Sequence, residues 1–119
     1  MSEIVRVYEK PTCSKCREVM KMVRDRQIEY EQINLSATPL TELQLRELLE
    51  KMNLPPREML RNKEEIYRRL NLGKRQLTDD QIIALMIRYP ELIQRPIVER
   101  GERVVLGRPA EKVAELLDS

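Results

Sequence analysis

What most restricts the fold of this chain is a junction near its start. The apolar run Ile4 to Tyr8 gives way, across Pro11 and Thr12, to Cys13-Ser14-Lys15-Cys16. From there the spacing turns helical, with Cys16, Val19, Met20 and Val23 at i, i+3, i+4 and i+7. A buried strand that turns directly onto a helix opens a βαβ unit. With the helix starting beside Cys13, that sulfur meets unpaired backbone N–H groups and the positive end of the helix dipole, which favour thiolate over thiol. Cys16 lies on the core-facing stripe of the same helix, so one sulfur is exposed and activated and the other is shielded.

These are the only two cysteines, and the chain has no histidine. A CxxC can supply half of a tetrahedral zinc site, but zinc asks for about four N, S or O ligands. Here such a site could close only between two chains. Both thiols could also be inert core residues, as free cysteine often is; Pro11 ahead of the pair and the polar Ser14-Lys15 inside it suit a turn onto a helix better. Two thiols one helical turn apart can exchange a disulfide.

The length of 119 residues, 41% of them hydrophobic, suits one domain with a single modest core. The 22 basic and 20 acidic side chains nearly cancel, so no general electrostatic attraction to nucleic acid or an anionic membrane is expected. No apolar run approaches the roughly 18 residues of a membrane span, and Met1-Ser2-Glu3-Ile4 lacks the features of a signal peptide. A cytoplasmic protein is expected. Thiols are kept reduced there, which makes a CxxC catalytic or redox-sensing rather than a permanent crosslink.

Ile28 to Leu35 has strand spacing and completes the βαβ unit with a parallel strand. Thr41-Glu42-Leu43-Gln44 and Thr78-Asp79-Asp80-Gln81 are capping boxes. They predict one helix carrying Leu45, Leu48, Leu49 and Met52, and another running through Ile82, Leu85, Met86 and Tyr89 to Pro90. Between them, Arg57 to Leu70 reads as one or two short helices. Pro96 to Glu99 and Arg103 to Leu106 flank a turn and predict a hairpin, and Pro109 opens a last helix over Ala110 to Leu117. The expected fold is an α/β, thioredoxin- or glutaredoxin-like domain with a mixed sheet and a helical insertion at about residues 41–90.

Four separated segments then carry a resemblance. Tyr8 with Pro11-Thr12-Cys13-Ser14-Lys15-Cys16-Arg17, Arg57 to Arg61, Tyr89 to Val98, and Leu106-Gly107-Arg108-Pro109 resemble the signature blocks of the glutaredoxin-linked arsenate reductase (ArsC) family. The resemblance implies that Cys13 is the nucleophile and that Arg61, Arg95 and Arg108 hold the arsenate oxyanion. It also implies that Pro96 is the cis-proline of the fold. Guanidinium forks suit a tetrahedral oxyanion and lower a neighbouring cysteine pKa. In the family, glutathione attacks the cysteine adduct as co-substrate, glutaredoxin removes it and arsenite leaves. No bound cofactor is implied.

Two residues depart from that pattern. Glu9 stands where characterised arsenate reductases resemble each other in having a histidine, and a carboxylate there is expected to raise the cysteine pKa. Cys16 stands where they commonly have no thiol; a second thiol offers internal resolution of the Cys13 adduct, with glutaredoxin or thioredoxin as electron donor. The CxxC and the Arg95-Pro96 block also resemble Spx, a redox-sensing regulator that binds the RNA polymerase α subunit. A general thiol-disulfide activity and an Spx-like switch therefore stand as alternatives to oxyanion reduction.

Overall fold

In the computed structural model, which describes residues 4–10 and 12–118, the first apolar run is strand β1 (Val5–Glu9) and the junction leads into helix α1 (Ser14–Asp25). Pro11 lies outside the described residues. The chain returns as β2 (Tyr30–Asn34), parallel to β1, with Val7 opposite Gln32 and Glu9 opposite Asn34. The expected hairpin is β3 (Ile97–Arg100) and β4 (Arg103–Leu106), and β3 runs antiparallel to β1. The order β2-β1-β3-β4 makes the sheet mixed, as the thioredoxin-like reading requires. Gly101 turns the hairpin at φ 63°, a left-handed conformation that costs glycine nothing.

Val5 and Val7 point to one face of the sheet with Val98. There they pack against Val19, Met20 and Val23 of α1 and against Val113, Leu116 and Leu117 of the last helix, α5 (Ala110–Asp118). Burying each such side chain contributes about 1.5–3 kcal/mol. The helix ends are tied as well: Arg26 pairs with Asp118 at 2.7 Å, and Arg100 donates to the carbonyls of Leu116 and Leu117, which the helix itself leaves without donors. On the other face, the Tyr8 hydroxyl donates to the buried carboxylate of Glu99 at 2.9 Å.

The stretch Leu40–Gln94 forms a second compact unit. Its helices are α2 (Glu42–Met52), α3 (Glu65–Arg69) and α4 (Asp79–Arg88). Both capping boxes are complete: Thr41 and Thr78 accept from the N–H groups of Gln44 and Gln81, whose side chains reach back. Leu45, Leu48 and Leu49 of α2 are buried, as are Ile82, Ile83 and Met86 of α4, while Met52 is only partly so. The stretch from Arg57 holds two short helical pieces, as expected. Pro55 holds an extended backbone, Pro56–Met59 is a 3-10 turn, and α3 is five residues without a side-chain cap. Helix α4 also stops at Arg88, because a residue before proline avoids helical backbone and Tyr89 sits at φ −124°, ψ 79°. Among the described residues, no helix is long and apolar enough to cross a membrane.

Candidate active site

Cys13 is the N-cap of α1, in extended backbone with φ −87° and ψ 124°. Its carbonyl accepts the N–H of Arg17 at 3.1 Å and its own N–H donates to Lys10 at 2.9 Å, so the sulfur is set at the helix mouth from both sides. Half-burial pushes the Cys13 thiol up. That is outweighed by the Cys16 thiol, the N–H groups of Cys16 and Lys15, and the Arg95 guanidinium, and the pKa falls below its ordinary value.

Cys16, one turn on, is fully buried among the apolar residues of α1. Its sulfur accepts the backbone N–H of Lys10 at 3.5 Å. Burial pushes this thiol up to about 12; the Lys10 N–H works against that rise, and the Cys13 and Glu9 charges add to it. The two sulfurs thus have opposite characters. Cys16 is shielded, as its place on the core-facing stripe implies, while Cys13, expected to be exposed, is half-buried.

Two arginines flank Cys13 from the ends of the hairpin. Arg108 follows β4 and donates through Nε to the carbonyl of Arg95 at 3.1 Å, while its Nη2 stands 3.9 Å from Cys13 Sγ. Arg95 precedes β3, and its Nε is buried with no hydrogen-bond partner. A buried donor without an acceptor is costly, and here it belongs to a cation acting on a thiolate. The backbone between the two arginines is closed by Gly107, which donates to the carbonyl of Pro96 at 2.8 Å. A Cβ at Gly107 would overlap the Pro96 ring, so only glycine admits this approach.

The bond Arg95–Pro96 is cis, as the resemblance implied, and Arg108–Pro109 is cis too. Cys13, Cys16, Arg95, Pro96 and Arg108 all belong to the sheet-bearing unit. Arg61 belongs to the Leu40–Gln94 unit, where its Nε donates to Glu64 at 3.0 Å and its N–H to Leu92 at 2.7 Å.

Glu9 is 1% exposed, accepts from Gln32 Nε2 at 2.8 Å, and its charge helps to raise the Cys16 pKa. The period of a strand puts it on the same face as Val5 and Val7.

Comparison with known proteins follows the same lines. The ArsC family model matches residues 8–116. Arsenate reductase of Escherichia coli (strain K12) is 37% identical over 117 residues, covering 98% of this chain and 82% of that one. YfgD of the same strain, an uncharacterized protein, is 35% identical over 98% of this chain and 99% of its own. The solved structure of an arsenate reductase from Vibrio cholerae superposes with a TM-score of 0.90 at 38% identity, covering 97% of this chain and 98% of that one.

Proposed function

Because the chain belongs to the ArsC family, we propose that it is a thiol-dependent oxidoreductase whose Cys13 thiolate attacks arsenate or a similar tetrahedral oxyanion held by Arg95 and Arg108. The observation that carries this reading is the buried, unpartnered Nε of Arg95 beside a stabilised thiolate that Arg108 also faces. A bound oxyanion supplies the acceptor that the Arg95 donor lacks, and two guanidinium groups neutralise the dianion as the thiolate approaches it.

In the first step the Cys13 sulfur bonds to arsenic and one arsenate oxygen, taking up a proton, leaves as water. In the second, Cys16 attacks Cys13 Sγ. A disulfide forms and the sulfur–arsenic bond breaks with its electron pair passing to arsenic, which leaves as arsenite. Two thiols are oxidised and arsenic(V) becomes arsenic(III). Thioredoxin, or glutathione with glutaredoxin, then reduces the disulfide. Support for internal resolution comes from the closeness of the sulfurs, near enough for the Cys16 thiol to donate a hydrogen bond to Cys13.

Arsenate reduction assayed in parallel with thioredoxin and with glutathione plus glutaredoxin tests the reading. Turnover is expected with at least one donor and is abolished by Cys13→Ser. No turnover with either donor overturns the oxyanion assignment. Turnover that survives Cys16→Ser only when glutathione is supplied assigns the second step to glutathione instead.

A further inference from the structure

The Leu40–Gln94 unit carries uncompensated positive charge at the turn into α4. Two of its arginines are matched to acids, Arg46 to Glu42 and Asp80 and Arg61 to Glu64. Among the described residues, Lys74, Arg75 and Arg88 form no ion pair. An open cleft of about 650 Å³ has Arg57, Lys74 and Arg75 in its wall, and another of about 290 Å³ runs along the exposed side of α4 over Leu77, Ala84 and Leu85 to Arg88. Arg75 and Leu77 line both, so the two are continuous. No acidic side chain lines either one.

The cleft is built before anything enters it. Arg57 donates through Nη1 to the carbonyl of Leu72 at 3.1 Å and through Nη2 to that of Arg75 at 2.8 Å, which pins the loop, and Arg88 Nε donates to the Tyr89 hydroxyl at 3.2 Å. The capping box of Thr78 and Gln81 closes the start of α4, so an anion here meets side chains rather than the helix end. We infer that this cleft docks a short acidic segment of a partner protein, one apolar side chain lying on Leu77, Ala84 and Leu85 between carboxylates held by Lys74 and Arg75 at one end and by Arg88 at the other. Charge complementarity selects the acids, and the aliphatic floor between the cations selects the apolar residue. Neither part of the cleft is lined by an aromatic ring on which a nucleic-acid base would stack, and its openness suits an extended chain better than an enclosed small molecule. From Gln81 to Arg88 the helix rises about 10 Å, which an extended chain covers in about three residues. The acids of the partner are therefore about three positions apart.

Backbone amide shifts of the nitrogen-15-labelled full chain test this, with capped synthetic peptides as probes. The probes carry one leucine between acidic residues set two, three or four positions apart; in one control set serine replaces the leucine, and in another lysine replaces the acids. At least one acidic leucine peptide is expected to bind with a dissociation constant of about 1 mM or below, moving the amides of Arg75, Leu77, Ala84, Leu85 and Arg88. Lys74→Glu with Arg88→Glu, two exposed changes whose own spectrum reports that the fold is kept, should weaken binding by about tenfold. Added salt should weaken it too, and the serine peptide should bind at least about threefold less tightly. No shifts with any acidic leucine peptide at several times that concentration overturn the proposal, as do shifts confined to other surfaces. Equal binding of the serine or lysine peptides overturns it as well, the first leaving a site for anions alone. Tighter binding of an oligothymidine to the same amides overturns it in favour of a nucleic-acid surface.

Discussion

Arg108 holds its Nη2 3.9 Å from the sulfur of Cys13 while its Nε is anchored 3.1 Å from the carbonyl of Arg95. One guanidinium therefore both faces the nucleophile and is oriented by the backbone of the other arginine. Arg95→Ala and Arg108→Ala should each lower oxyanion affinity or arsenate turnover by about tenfold or more, the effect of losing about 1.5–3 kcal/mol of charge-assisted hydrogen bonding. Arg103→Ala, on the exposed side of β4, should change either by less than about twofold. Calorimetric titration with arsenate or sulfate, alongside kcat/KM, measures this.

The alkylation rate of Cys13 against pH should show a midpoint below the ordinary cysteine value of about 8.5. Cys16→Ala removes a donor to the thiolate and should move that midpoint up. The sign for stability follows. Folding favours the Cys13 thiolate, so this contribution is present above the unfolded thiol's pKa and is lost as pH falls through the lower folded value. The stability difference between the parent and Cys13→Ser, measured by denaturant unfolding, should shrink toward acid.

Mild oxidation should join Cys13 to Cys16. Intact mass should fall by two hydrogens with no dimer formed, and a dithiol reductant should reverse it. Thiols that stay free under those conditions would remove internal resolution.

Gly107→Ala should disturb structure and activity together. The added methyl overlaps the Pro96 ring and presses Val19 of α1, an overpacking that costs about 1–3 kcal/mol. Because Arg108 is the next residue, kcat/KM should fall even where the protein remains folded. A thermal melt and a kinetic assay on the same preparation separate the two effects.

Thr41→Ala and Thr78→Ala should each cost about 1 kcal/mol in denaturant unfolding, since each threonine satisfies a first-turn N–H that α2 or α4 leaves open.

Much of this architecture was legible because it rests on local rules. The capping boxes, the Cys16 stripe and the parallel β2 follow from spacing alone, and the hairpin from two apolar strands around Gly101. What was not legible depends on contacts distant in sequence. The partner of Arg108 is a carbonyl 13 residues away, and Glu9 draws its hydrogen bond from Gln32, 23 residues on. Arg95 and Arg108 came from the family resemblance, since an arginine-rich chain offers no local mark to distinguish them.

The β3–β4 hairpin has a consequence for how the site tolerates change. Its open end carries Arg95 and Arg108, stitched together by the Gly107–Pro96 and Arg108–Arg95 hydrogen bonds, while its closed end is the turn at Gly101. It works as a caliper whose jaws are the two guanidinium groups and whose hinge lies a strand's length away. Residues added at the hinge lengthen the handle and leave the jaws set. A single residue added within either strand shifts the register by one, turns alternate side chains over, and opens the jaws.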